Sequence, residues 1–178
     1  NSGIGTESKY KTMQLIPEKY SPITVFHKAD SSIIETIKKV NECSISYPLI
    51  AKPDIGFRGL LVKKIRTEKE LKKYLEKYPI DILIQEFLTE KKECGIFYLR
   101  FPGNQTGKIT SITLKNFPFV IGDGKRTIKE LILSDKRAKH YIDIIKCDNA
   151  ISLKNILNKG EKLQLSYVGN HSKGTQFI

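Results

Sequence analysis

In the stretch YPLIAKPDIGFRGLLVKKI, residues 47–65, an apolar run carries Lys52 into a loop with two glycines, Gly56 and Gly59, and then resumes. Those residue types suit anion chemistry. Glycines let a backbone approach a ligand closely, successive N–H groups in such a loop can cradle phosphate oxygens, and Lys52 and Arg58 supply positive charge at either end. Two plainer readings stand beside this one: a lysine at a strand end can snorkel to water, and a lone GxxG is a common turn. Lys63 and Lys64 follow on the returning strand, where alternation sends one to each face.

A second constellation is QEFL, residues 85–88, with Glu93 seven positions beyond Glu86. Two acceptors flanking a polar link can read a nucleotide. One takes an amino hydrogen of adenine and the other the ribose hydroxyls, while Phe87 and Leu88 offer backbone and apolar surface. Glu86 also fits as the point where a strand meets water.

Other chemistries are excluded by spacing. GxxxxGK[ST] is absent, because Gly107-Lys108 and Gly124-Lys125 lead into Ile109 and Arg126. Gly3 and Gly5 lead to Ser8 without a preceding strand, so there is no GxGxxG, and the HRD and DFG motifs of protein kinases are missing. His27, His140 and His171 are scattered and form no HExxH. Cys43, Cys94 and Cys147 form no CxxC pair, and an odd number cannot all pair within one chain, so free thiols in a reducing cytoplasm are expected and no protein-built transition-metal site. No Ser/His/Asp or Cys/His set competes.

The elements that must position these residues follow from periodicity. Residues 1–22, punctuated by Gly, Ser, Lys and Pro, read as an irregular lead. Ser32 and Glu35 form a capping box before a helix reaching about Asn41, with Ile33, Ile34, Ile37 and Val40 as its apolar stripe. Strands are expected at 47–51 and 60–65, and a helix from Thr67 and Glu70 to about Lys77. A buried strand follows at 80–88. CGIFYLRF (94–101) and KITSITLK (108–115) form a hairpin across PGNQTG. There Arg100 shares a face with Ile96 and Tyr98, and Lys115 with Ser111 and Thr113, which makes a basic cleft lining or a merely exposed sheet face. GDG at 122–124 reads as a turn and Thr127 with Glu130 as a helix cap, with helices over 127–145 and 152–158 and a last strand over 161–168. The hairpins argue for an α+β fold of largely antiparallel sheets with flanking helices, in two lobes at 23–88 and 89–178.

With 178 residues the chain can bury a real core. It has no apolar run near the roughly 20 residues that cross a bilayer, and its start lacks the order of a signal peptide. A soluble, cytoplasmic protein with no membrane partner is expected. The net charge of +12 suggests an anionic partner, although lysines spread over the whole chain also fit compositional bias. The first residue is Asn, which leaves open that the chain begins inside a longer product.

The ordered series YPLIAKPDIGFRG, ILIQEFL with Glu93, GIFYLRFP, ITSITLK, VIGDGKRTIKELI and GNHSKGT resembles the ATP-grasp superfamily. It is most similar to bacterial members related to D-alanine–D-alanine ligase and to the ATP-grasp part of cyanophycin synthetase, from about Ser8 to the end of the chain. The resemblance implies ATP held between two α+β lobes, with Lys52, Gly56, Arg58 and Gly59 on its phosphates, Glu86, Phe87 and Leu88 at its base, and Glu93 at its ribose. It implies a second phosphate lysine upstream, for which Lys9 is the candidate with Lys11 close behind. Arg100 and Lys115 would face phosphates and substrate as catalytic groups, and Asn170, His171 and Lys173 would lie near the active site. The implied chemistry, with Mg²⁺, converts a carboxylate to an acyl phosphate that an amine attacks, through positioning and charge stabilisation without a covalent enzyme intermediate. One departure stands out. The family's magnesium ligands, an Asp followed by Glu-x-Asn, have no counterpart before the end at Gln176-Phe177-Ile178, so no metal ligand is assigned and a fragment unable to complete the metal site by itself is expected. The alternative is a non-catalytic basic module for nucleic acid, with Phe97, Tyr98 and Phe101 as stacking platforms.

Overall fold

All described strand pairs in the computed structural model run antiparallel, and helices flank them, so the fold is α+β. The structure describes residues 7–56, 58–90, 92–148 and 152–178, without the side chains of 146–148. Expectations that touch residues 1–6, Phe57, Lys91 or the Cys147 thiol lie outside the described residues. The chain divides into two units, the first ending at Thr89 and the second starting at Glu90.

The first unit starts with α1 (Lys9–Met13), capped by the Ser8 hydroxyl, which accepts from the Lys11 N–H. The lead expected to be irregular therefore contains a helix and, at Glu18–Tyr20, a 3-10 turn. β1 (Thr24–His27), α2 (Ile33–Glu42), β2 (Leu49–Pro53), β3 (Lys63–Ile65), α3 (Glu68–Lys77) and β4 (Ile82–Glu86) follow. Ser32 and Thr67 cap α2 and α3 as their spacing predicts. The Glu70 carboxylate, however, accepts from Arg66 N–H.

The sheet runs β1-β4-β2-β3, and its register sorts the side chains by face. Val25, Leu49, Ala51, Ile65, Ile82 and Ile84 pack with Val40 of α2 and Leu71, Tyr74 and Leu75 of α3 in one buried cluster. Leu49, Leu71 and Ile84 are fully buried, worth roughly 1.5–3 kcal/mol apiece. The opposite parity sends Thr24, Phe26, Ile50, Lys52 and Gln85 to the other face. There the Tyr10 ring of α1 stacks on Phe26 with centroids 4.5 Å apart.

The second unit contains β5 (Glu93–Leu99), β6 (Lys108–Asn116), β7 (Phe119–Ile121), α4 (Ile128–Ser134), α5 (Ile142–Asp148), β8 (Lys162–Gln164) and β9 (Gln176–Phe177). β5, β6 and β9 form one sheet, and β7 pairs with β8. Thr127 and Glu130 make a reciprocal capping box. Val120, Ile128, Leu131, Ile132, Ile145, Leu157 and Leu165 belong to its buried cluster.

Three sequence expectations change here. The helix expected over 127–145 breaks at Asp135, whose Oδ1 accepts from the N–H groups of Arg137 and Ala138 at 2.9 and 2.6 Å. No helix forms over 152–158. Instead the carbonyls of Asn155 and Leu153 accept from Ile128 and Lys129 N–H, so the segment satisfies first-turn donors of α4 that have no partner within the helix. The strand expected over 161–168 shortens to β8, and β9 follows it.

Candidate functional site

Lys52 occupies β2 on the face away from the buried cluster. Its half-buried ammonium donates to Gln85 Oε1 on neighbouring β4 at 2.8 Å. The amide nitrogen of Gln85 donates to Thr24 Oγ1 at 2.8 Å and approaches Met13 Sδ at 3.6 Å, which fixes the carboxamide with its oxygen towards the lysine. Burial pushes the Lys52 pKa below the usual lysine range, and the like charge of Lys9 pushes it further down. Among the described residues, no carboxylate forms an ion pair with Lys52.

Beyond Lys52 the chain enters the loop. Lys9 Nζ donates to the carbonyls of Pro53, Asp54 and Gly56 at 3.2, 2.8 and 3.0 Å. Asp54 is buried, its Oδ1 accepts from Tyr10 N–H at 2.8 Å, and its own N–H donates to the Asp81 carbonyl at 2.9 Å. Further on, Arg58, Gly59 and Leu61 have φ of 55°, 70° and 58°. Left-handed backbone is natural only for Gly59 of these three. Leu61 is held there by the Tyr74 hydroxyl, which donates to its carbonyl at 2.6 Å. At Gly56 an added Cβ would sit 3.6 Å from Pro53 Cβ, an ordinary contact, so packing does not demand glycine there. Arg58 is exposed.

At the end of β4, Glu86 Oε1 accepts from Ile23 N–H at 2.8 Å, tying down the chain just before β1. The Phe87 ring lies under the Lys64 ammonium, 3.7 Å from its centroid, and Leu88 is exposed.

In the second unit, Glu93 and Lys115 face each other across β5 and β6 and form an ion pair. Gly169 lies against that pair. A Cβ there would be 3.0 Å from either Glu93 carboxylate oxygen. Lys115 also borders a cavity of about 470 Å³, with Arg137, Lys162 and Gln164 among its other lining residues. Arg137 donates to the carbonyls of Gly174 and Thr175 at 3.1 and 3.2 Å, bracing the turn that begins with Asn170. In that turn Asn170 Oδ1 accepts from Ser172 N–H at 2.9 Å, and the His171 ring meets Phe177 edge-on.

The hairpin does not bring Arg100 and Lys115 together. Lys115 is opposite Glu93 at one end, whereas Arg100 follows the far end of β5, roughly 23 Å away at about 3.3 Å per strand residue. Sequence reasoning missed Gln85, Thr24 and Asp54, which hold the candidate lysine and its loop. It also missed Arg137 and Gly169. Their partners are distant in sequence; the PDIGFRG, QEFL and GNHSKGT stretches contain Asp54, Gln85 and Gly169, but without the contacts that give each its role.

Antiparallel α+β units, one of them with a half-buried lysine entering a glycine-containing loop, have the architecture expected of an ATP-grasp protein. The RimK-like ATP-grasp domain model matches residues 6–117, more than half of the chain, and the chain belongs to that family. No curated protein matches it. Among solved structures, the VanG D-Ala:D-Ser ligase from Enterococcus faecalis is similar at 18% identity and a TM-score of 0.44, over 54% of this chain and 27% of that one. A bifunctional glutathione synthetase from Pasteurella multocida is similar at 15% identity and a TM-score of 0.32, over 88% of this chain and 23% of that one. The chain thus spans about a quarter of the length of either protein.

Proposed function

We propose that this chain binds ATP through Lys52 and the Asp54–Gly59 loop, as part of a ligase that joins a carboxylate to an amine. The observation that carries this reading is a pair of half-buried ammonium groups, Lys9 and Lys52, at one loop root, with Lys52 facing a neutral carboxamide. Such a cation is under-neutralised, and phosphate oxygens relieve it. ATP supplies a phosphoryl group that a carboxylate oxygen accepts as ADP leaves; an amine nitrogen then bonds to the acyl carbon, loses a proton and releases phosphate.

In this reading Lys52 holds phosphate charge, Gln85 fixes its direction, and Arg58 adds charge at the loop tip. Glu86 with the backbone of Phe87 and Leu88 meets the adenine, and Glu93 the ribose. Lys115 serves the substrate carboxylate. Arg100, at the far end of the hairpin, receives no shared role with it. Magnesium enters with the nucleotide. Among the described residues no group of three or more His, Cys, Asp or Glu could hold a metal ion, so no step is assigned to a protein-held ion. Among the described residues no helix is long and apolar enough to cross a membrane. The reading includes a cytoplasmic location, in keeping with the free, exposed thiols of Cys43 and Cys94.

The test is stabilisation by ligand. With Mg·ATP the wild-type chain should melt at a higher temperature, and Lys52→Met should lose that gain. An equal gain in the variant would refute the assignment.

A second reading keeps one observation of its own. Phe97, Tyr98 and Phe101 are 64%, 56% and 60% exposed on and just beyond β5, where bases could stack in a non-catalytic nucleic-acid module. That module would bind polyanions with steep salt dependence and ignore ATP.

A further inference from the structure

The Lys9 ammonium has three hydrogens, and three carbonyls receive them: Pro53, Asp54 and Gly56, at 3.2, 2.8 and 3.0 Å. We infer that Lys9 is a positioning residue: it gathers these carbonyls and holds the root of the glycine loop in the shape that receives phosphate. The inference rests on the proposed function for what the loop binds, but not for the clamp itself.

A direct phosphate contact would have to break one of these bonds, since an ammonium offers no fourth donor. The backbone around Lys9 is committed in the same direction. Its own N–H donates to the Asp54 carbonyl at 3.3 Å, and the next N–H, of Tyr10, donates to Asp54 Oδ1 at 2.8 Å. Tyr10 is anchored by stacking on Phe26, and Met13 reaches the Gln85 amide that orients Lys52. One short helix therefore touches both the loop root and the holder of the candidate lysine.

The clamp has a consequence for polarity. The peptide joining Asp54 to Ile55 is trans, and in a trans peptide the C=O and N–H point in opposite directions. With its carbonyl drawn onto Lys9, the N–H of Ile55 turns away from that cation. Lys9 thus takes the acceptor side of the loop root and leaves a donor side, the polarity an anion requires.

Two measurements on wild type, Lys9→Met and Lys9→Arg test this. The first is amide hydrogen exchange over residues 54–56 without nucleotide. The second is the Kd for Mg·ATP by calorimetry. The clamp predicts faster loop exchange in both variants and Mg·ATP binding weakened about tenfold or more, because a planar guanidinium cannot converge on three carbonyls from one nitrogen. A direct ligand would give unchanged exchange, with affinity lost in Lys9→Met and restored in Lys9→Arg. That outcome overturns the inference, as does wild-type behaviour in both measurements. If Lys9→Met fails to fold, Lys9→Arg carries the same comparison alone. If the wild type ignores ATP, the proposed function fails, while the exchange measurement still decides whether Lys9 clamps the loop.

Discussion

The Lys52 ammonium donates to the Gln85 carboxamide oxygen at 2.8 Å, and the nitrogen of the same carboxamide donates to Thr24 at 2.8 Å, so the lysine is aimed by a neutral group that cannot swivel without losing a bond. Gln85→Leu leaves a half-buried ammonium unpaired and should cost about 1–3 kcal/mol in urea denaturation, together with Mg·ATP affinity. Gln85→Glu should separate the two effects. It supplies a counter-charge, so stability holds or rises, but it competes with phosphate and affinity falls. Equal losses of both in Gln85→Glu would contradict this assignment.

Burial and Lys9 hold the Lys52 pKa below its ordinary 10.5. The folded chain therefore gives up this proton before the unfolded chain does. Between the two values the unfolded state binds more protons, and stability rises with pH. Below the folded value the cost of burying the charge is fully present, so Lys52→Met should keep or gain stability at neutral pH. Bound phosphates favour the ammonium form, so Mg·ATP affinity should decline as pH climbs through the folded Lys52 value. Calorimetry from neutral to alkaline pH checks this, and a flat profile would count against it.

The two loop glycines should behave differently. Gly59 has φ of 70°, and alanine there should cost about 1–2 kcal/mol. Gly56 has room for a methyl group, with Pro53 Cβ at 3.6 Å. Gly56→Ala should keep its melting temperature and lose nucleotide affinity if the backbone must closely approach a phosphate.

In the second unit, a Cβ on Gly122 would fall 2.2 Å from the Asn158 carbonyl oxygen and 2.6 Å from Leu157 Cβ. Backbone must move to admit it. Gly122→Ala should destabilise this unit by about 2 kcal/mol or more. Hydrogen exchange should show the loss in β7, α4 and β8, and unchanged protection in β2 and β4.

What the sequence revealed was mostly local. The caps at Ser32, Thr67 and Thr127 lie three residues from the N–H groups they accept, and the strand ending near Lys52 announces itself by its apolar run. What stayed hidden was non-local. α1 has five residues and no buried side chain, and its anchor is Asp54, more than 40 positions away. The partnership of Lys52 with Gln85 depends on sheet register across 33 positions. Residues 152–158 carry a helix-like pattern, yet their carbonyls cap α4, because its buried N-terminus needs acceptors. The separation of Arg100 from Lys115 follows from hairpin register, which shared strand parity alone does not give.

Titrating Mg·ATP into the wild-type chain and into Lys52→Met, both verified as folded, decides whether the Lys52 loop holds the nucleotide. Saturable binding by the wild type, weakened at least about tenfold in the variant, is the predicted result. Equal affinity in the two proteins would contradict it.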